Sequence, residues 1–190
     1  MVCLRSPIHR VRFTRQYTYG GSGNVLTLKA VLPSSTFQTT QYIYGVDSAS
    51  GSAVASNDLL KAVRYPDKTT GSASSSEQET FTYDALGEAK TYSDRIGNVH
   101  TYAYDVLGRQ TSDAVTTLGS GVDGAIRRLT TTFNTQGLPE LLTSYDASTN
   151  GNIVNQVQRT YKGLGQLTQE YQANDGAVNT SSTPSVQYDE

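Results

Sequence analysis

Few residues in this chain are of the types that carry covalent or metal chemistry. The 190 residues include one cysteine, Cys3, and two histidines, His9 and His100. A cysteine nucleophile needs a histidine beside it in a cleft, and a zinc site needs three or four Cys, His or carboxylate ligands at short spacings. Neither pattern occurs, and the alternating run 99–102 predicts that His100 is an outward-facing strand residue. We therefore expect no enzyme activity, no metal and no cofactor.

Paired carboxylates and glycine-rich loops are the remaining candidates for chemistry. A glycosidase needs two carboxyl groups about 5–10 Å apart in a cleft. The aspartates recur at regular intervals here, and a residue that recurs in each repeat is expected to have the same structural role in each. This regularity argues against a catalytic pair. The glycine-rich run 20–23 is followed by no helical pattern, so it predicts a turn rather than a phosphate-binding loop.

Internal repetition is the dominant signal in the sequence. Residues 81–88 and 102–109 share the pattern aromatic-x-Tyr-Asp-x-Leu-Gly, at an offset of 102 − 81 = 21 residues. Weaker copies begin at Tyr17, Tyr42, Phe133, Tyr161 and Tyr188. A second turn signal lies half-way between copies, beginning at Asp67, Asp94, Asp146 and Asp175.

The repeat positions predict a β-hairpin unit. Tyr-x-Tyr places two aromatic rings on one face of a strand, because strand side chains alternate between faces. The aspartate then opens a turn by accepting backbone N–H groups, and glycine three residues later supplies the positive φ that closes it. Two strands and two turns therefore fill about 21 residues, with equivalent tyrosines side by side. The predicted structural positions are Tyr19, Tyr44, Tyr83, Asp84, Gly87, Asp94, Gly97, Tyr102, Tyr104, Asp105, Gly108, Arg109, Tyr161, Gly165, Tyr188 and Asp189.

Composition agrees with an all-β fold. Hydrophobic residues make up 36% of the chain and charged residues 17%, with 13 tyrosines, 17 glycines and no tryptophan. Tyrosine, threonine and glycine favour strands and turns over a helical bundle, and no apolar run is long enough to span a membrane. The net charge is −2, which gives no expectation of nucleic-acid binding despite the basic start of the chain.

These residues resemble the YD-repeat family, also called Rhs repeats. The match is close at Tyr83-Asp84, Asp94 and Tyr104-Asp105, with the glycines that follow each, and degenerate elsewhere in 17–190. The resemblance implies a spiralling antiparallel sheet that forms part of a hollow shell. It further implies a secreted or cell-surface scaffold that encloses or presents a toxic or effector domain. The alternative is an adhesion or carbohydrate-binding repeat whose partners are surface glycans.

The chain divides into a basic leader, 1–16, and a repeat region, 17–190, with the clearest repeats in 79–114. Six or seven units predict 12–14 strands and an open sheet about 60 Å wide, since strands lie about 4.8 Å apart. Residues 57–65 fit either a short helix or a strand, and the serine-rich segment 70–78 predicts a loop. Exposed edge strands would pair with further repeat segments or chains. No secretory signal pattern is present, so a cytoplasmic location follows if Met1 is the true start.

Overall fold

The protein is a single antiparallel β-sheet. The computed structural model describes residues 14–32 and 36–188. The strands are β1 (Thr14–Tyr19), β2 (Val25–Val31), β3 (Phe37–Val46), β4 (Ser56–Pro66), β5 (Ala73–Tyr83), β6 (Ala89–Ser93), β7 (Val99–Tyr104), β8 (Gln110–Thr117), β9 (Arg128–Phe133), β10 (Pro139–Tyr145), β11 (Ile153–Tyr161), β12 (Leu167–Ala173) and β13 (Val186–Gln187). The single helical element within these ranges is a short 3₁₀ turn at Ser48–Ser50.

Sheet order follows chain order throughout. All 13 strands lie side by side from β1 to β13, each antiparallel to its neighbours, so the sheet is an open meander. The predicted all-β class and strand number are confirmed. Because successive strands reverse direction, the turns that follow odd-numbered strands share one rim of the sheet, and the turns that follow even-numbered strands share the other.

Strand register shifts at the tyrosine that ends each repeat copy. The pairing slips by one residue next to Tyr19, Tyr44, Tyr83, Tyr104 and Tyr161. The turn glycine supplies a positive φ at the same place, for example +83° at Gly87. The copies that end at Tyr19, Tyr83, Tyr104 and Tyr161 therefore end in a tight turn with a glycine bulge, a connection whose twist suits antiparallel strands, whereas a longer loop with the 3₁₀ turn follows the copy that ends at Tyr44.

The sheet has very little buried core. Among the described residues, only four apolar side chains are buried: Val46, Ala62, Val63 and Ala114. Domains usually bury one sheet face against a second layer. Here side-chain pairs between neighbouring strands supply much of the stabilisation that a buried core usually gives. Among them are threonine hydroxyl pairs, such as Thr82 with Thr91 at 2.6 Å and Thr18 with Thr27 at 2.7 Å. The stability of this sheet therefore depends on contacts between neighbouring strands and on its turns.

Several sequence expectations change in the structure. The serine-rich segment 70–78 was predicted as a loop, but its residues from Ala73 onward belong to β5, because they pair with β4. Segment 57–65 is a strand, part of β4. β1 begins at Thr14, inside the predicted leader, and residues 1–13 lie outside the described residues.

The bulge glycines give a direct test of this fold. At Gly87 a Cβ would meet nothing within 4 Å, so a Gly87→Ala change carries only the cost of placing alanine at φ +83°. That conformation costs about 1–2 kcal/mol, and urea unfolding should show a loss of this size. The matched control is Gly163→Ala, whose Cβ also meets nothing within 4 Å and whose φ lies outside the left-handed range. Equal losses in the two variants would contradict the bulge assignment.

Candidate functional site

The aspartate of each close repeat copy organises the turn that follows it. The Oδ1 atom of Asp84 accepts hydrogen bonds from the backbone N–H groups of Leu86 (2.9 Å) and Glu88 (3.0 Å). The backbone of Asp84 also donates to the Glu88 carbonyl, at 2.9 Å. Asp105 repeats this arrangement 21 residues later, bonding the N–H groups of Leu107 and Arg109. These carboxylates are thus turn caps.

Arg109 joins two repeats at the second of these turns. Its guanidinium donates to Oδ2 of Asp105 at 2.6 and 2.7 Å and lies 4.1 Å from the centre of the Phe133 ring. The hydrogen bond from Arg109, together with backbone N–H donors, holds the pKa of Asp105 below its ordinary value. Arg109 therefore connects a turn cap to the aromatic residue of the following repeat.

Repeat copies without aspartate keep the same turn. Asn134 accepts the N–H groups of Gln136 and Leu138 at 2.9 and 3.0 Å, so an amide oxygen replaces the carboxylate. Lys162 retains the backbone bonds, with its N–H donating to the Gln166 carbonyl at 2.9 Å. The capping oxygen therefore strengthens a turn that backbone bonds and the bulge glycine already define.

The half-repeat turns use the same chemistry on the opposite rim. Oδ1 of Asp94 accepts from the backbone N–H groups of Ile96, Gly97 and Asn98, each at 2.9 Å. The Asn98 side chain donates to the second carboxylate oxygen at 2.6 Å. Both rims of the sheet are therefore built on aspartate and glycine.

At three hairpins, a tyrosine hydroxyl connects the hairpin to the one before it. Tyr83 donates to the Leu60 carbonyl at 2.8 Å, Tyr104 to the Ala89 carbonyl at 2.9 Å, and Tyr161 to the Pro139 carbonyl at 2.6 Å. Each acceptor is the residue that pairs with the last aromatic residue of the preceding copy, as Ala89 pairs with Tyr83. Each hydroxyl thus reaches the bulge of the previous hairpin, a relation that the sequence analysis did not foresee.

The remaining predicted tyrosines occupy other environments. Tyr44 pairs with Leu60, while Tyr19 is 60% exposed at the β1 edge. The backbone N–H of Tyr188 donates to the Thr168 carbonyl at 2.9 Å, and Asp189 lies outside the described residues. The sequence analysis expected equivalent tyrosines to lie side by side, but the ring contacts seen among the described residues join other pairs.

A strip of side-chain rings crosses the three neighbouring strands β5, β6 and β7. Ring centres lie 5.3 Å apart for Phe81 and Tyr92, 5.9 Å for Tyr92 and His100, and 6.2 Å for His100 and Tyr102. Burial, followed by the nearby Glu79 carboxylate, raises the pKa of Tyr92 to about 12. The strip is consistent with cross-strand packing.

His100 forms the closest approach to a chemical dyad in the described part of the chain. Its Nδ1 lies 2.7 Å from an Asp113 carboxylate oxygen, and both side chains are about three-quarters covered. His100 lies in strand β7, as predicted, and its contacts with Tyr92, Tyr102 and Asp113 leave its side chain partly exposed. Neither the spacing nor the strand pattern of the sequence reveals Asp113 as its partner.

The open surface near this strip forms a groove of 530 Å³ lined by charged side chains, among them Glu77, Glu79 and Arg95. Arg95 pairs with Glu77 at 2.6 Å and lies 4.8 Å from the centre of the Tyr65 ring. Within the ranges 14–32 and 36–188, no three Cys, His, Asp or Glu side chains are grouped so that they could hold a metal ion. No helix in these ranges is long and apolar enough to cross a membrane.

Comparisons with known proteins find no matching family model and no matching curated protein. Among solved structures, the chain is similar to a Photorhabdus luminescens Tc holotoxin pore, at 16% identity and a TM-score of 0.43, over 85% of this chain and 9% of that chain. It is also similar to TcdB2-TccC3 without its hypervariable C-terminal region, at 16% identity and a TM-score of 0.32, over 84% and 10% of the two chains. A TcdB2-TccC3-Cdc42 structure gives 16% identity and a TM-score of 0.32 over 87% and 10%.

The chain thus spans about a tenth of the length of these toxin-complex structures. Identity and overlap at this level do not transfer an activity or a partner to this chain.

The inter-repeat hydrogen bonds can be tested by removing one hydroxyl. Tyr104→Phe removes the donor to the Ala89 carbonyl and should cost about 1 kcal/mol in the free energy of unfolding. The control is Tyr19→Phe at the corresponding repeat position, where the side chain is largely exposed and the change should stay within about 0.5 kcal/mol. Urea unfolding measures both, and a Tyr104→Phe loss no greater than that of the control would contradict this role.

The pKa of Asp105 predicts a pH dependence of stability. Because the pKa is lower in the folded state, the stabilisation is present above the unfolded pKa of about 3.9 and is lost as pH falls through the folded pKa. Asp105→Asn keeps a capping oxygen, as Asn134 does, but cannot titrate. Urea unfolding from about pH 5 to pH 2 should therefore show a smaller loss of stability in Asp105→Asn than in the unmodified protein. Identical pH profiles would contradict the capping role of this carboxylate.

Proposed function

We propose that this chain is a non-catalytic wall segment of a YD-repeat scaffold of the kind that encloses or presents a toxic or effector domain. The observation that carries the proposal is the hydroxyl of one repeat bonded to the bulge carbonyl of the preceding repeat, at Tyr83, Tyr104 and Tyr161. The contact recurs at three hairpins and ties each of them to the preceding part of one continuous sheet. A secreted or cell-surface location and an enclosed domain belong to the proposal through the sequence resemblance alone.

The titratable residues of the sheet support a structural role. Asp84, Asp94 and Asp105 have their carboxylates engaged in turn caps. His100 and Asp113 lie on adjacent strands within an aromatic strip, where their pairing joins β7 to β8. The same residues that would be candidates for catalysis thus have structural partners.

The sheet edges support assembly with further repeat segments. β1 is exposed along its whole length and pairs with β2 alone among the described strands. At the other end, β13 has only two residues, Val186 and Gln187. Edges of this kind present unpaired backbone groups to another strand. Further YD-repeat segments or chains are the partners that would continue the sheet.

The adhesion alternative needs aromatic rings that are free to stack on sugars. Tyr83, Tyr104 and Tyr161 instead lie partly buried with their hydroxyls bonded to backbone. At these three repeats the arrangement favours the wall over a glycan-binding surface, whereas Tyr17 and Tyr19 have exposed rings at the β1 edge.

Small-angle X-ray scattering of the full chain tests the proposal. A wall segment should scatter as a plate about one sheet thick, on the order of 10 Å, with no glycan-array binding and no turnover on hydrolase and nuclease substrates. His100→Gln is the control for activity, since any turnover that it abolishes would assign catalysis to the His100–Asp113 pair. A particle about two sheets thick, specific glycan binding, or turnover lost in His100→Gln would each contradict the wall proposal.

A further inference from the structure

The turn between β10 and β11 contains the one non-glycine residue with a positive φ among the described residues. Asn150 has φ +52°, in the left-handed region. Asparagine adopts this conformation more readily than most residues, and glycine adopts it with the least strain, whereas β-branched and bulky side chains are strained there. The backbone of the turn therefore favours asparagine or glycine at position 150.

The next position requires glycine for a different reason, which is space. A Cβ added at Gly151 would lie 2.5 Å from the backbone nitrogen of Ala147 and 2.7 Å from Oδ1 of Asp146. That carboxylate oxygen is itself held in place, because it accepts a hydrogen bond from the backbone N–H of Asn152 at 2.7 Å. The chain at Gly151 thus lies against the start of its own turn with no room for a side chain. The turn geometry therefore places an asparagine directly before a glycine.

An asparagine followed by glycine can react with its own backbone, as an intramolecular attack that needs no second reactant. The amide nitrogen of Gly151 forms a bond to Cγ of Asn150 and loses its proton, the Cγ–Nδ2 bond breaks, and ammonia leaves with that proton. One water molecule then opens the resulting five-membered imide. Opening at Cγ gives aspartate, and opening at the backbone carbonyl gives isoaspartate, in which the main chain runs through Cβ and Cγ.

The sequence and the structure single out Asn150 for this reaction. It is the only asparagine in the sequence that is followed by glycine, and it is exposed to water in the turn. Asn152 lies two residues further on and provides the comparison within the same turn. Its side-chain amide donates to Oδ2 of Asp146 at 2.9 Å, and the β-branched Ile153 follows it and crowds the attacking nitrogen. The reaction is therefore expected at Asn150 and not at Asn152.

Isoaspartate at position 150 lengthens the main chain inside a closed turn. The backbone N–H of Asp146 donates to the Asn152 carbonyl at 3.1 Å, and the Asn152 N–H donates back to Oδ1 of Asp146 at 2.7 Å. An added methylene directly before Gly151 enters a space that already excludes a Cβ, so the turn must shift. These two bonds join the end of β10 to the start of β11, and their loss loosens the hairpin.

We propose that Asn150-Gly151 is a self-modification site, at which the folded chain converts Asn150 to aspartate and isoaspartate and thereby loosens the β10–β11 hairpin. The nucleophile and the leaving group both belong to the chain, and water is the co-reactant. The site stands whether or not the chain is part of a scaffold.

Ageing of the full chain in mildly alkaline buffer, followed by digestion and tandem mass spectrometry, tests the site. The mass change from amide to carboxyl should appear at Asn150 at least about tenfold faster than at Asn152, because glycine leaves the attacking nitrogen open and Ile153 does not. Electron-transfer fragmentation should identify isoaspartate among the products. No conversion at Asn150, equal rates at the two asparagines, or aspartate as the only product would overturn the proposal.

Asn150→Gly is the matched variant for the structural consequence. It keeps a residue suited to the left-handed conformation but has no side chain that could form the imide. The urea midpoint of the unmodified protein should fall during ageing in step with the conversion of Asn150, while that of Asn150→Gly should stay constant. An equal fall in the two proteins, or no fall in the unmodified protein as Asn150 converts, would overturn the loosening of the hairpin.

Discussion

A glycine in the left-handed region, three residues after a capping oxygen, sets the geometry on which the sheet depends. With four buried apolar residues in the described ranges, no packed second layer holds the strands in register. Register is set instead at the turns, because each bulge determines which residues of consecutive strands pair with each other. Gly87 and Gly108 show the consequence, since both have positive φ and both follow an aspartate that bonds the turn. A local turn thereby determines long-range order along the sheet.

The tyrosine hydroxyl bonds extend this local order from one hairpin to the next. Tyr83, Tyr104 and Tyr161 each bond a carbonyl at the preceding bulge, so the bulge of one hairpin is connected to the first strand of the next hairpin. Repeat proteins gain stability from such nearest-neighbour contacts, which need no central core. A thin sheet held by such contacts is consistent with the wall segment that we propose.

The sequence predicted those features that depend on neighbours along the chain. Aspartate, glycine and alternating tyrosines specify turns and strands locally, so the 21-residue unit and the all-β class could be anticipated. Segment 70–78 was misread because serine has low strand propensity, and pairing with β4 overrides that preference. The partners of Tyr104 and His100 depend on register between strands, which a single sequence does not display. The exposure of Leu86, Leu107 and Leu164 likewise depends on the three-dimensional arrangement of the turns, which a single sequence does not display.

Native-state hydrogen exchange measured by NMR tests most directly whether the capping oxygen stabilises these turns. The Leu86 amide bonds the Asp84 carboxylate, whereas Leu164 follows Lys162, whose side chain has no acceptor oxygen. The two leucines occupy the same turn position in the same sheet. We predict that the Leu86 amide exchanges at least about tenfold more slowly than the Leu164 amide. Equal exchange of the two amides would contradict the account.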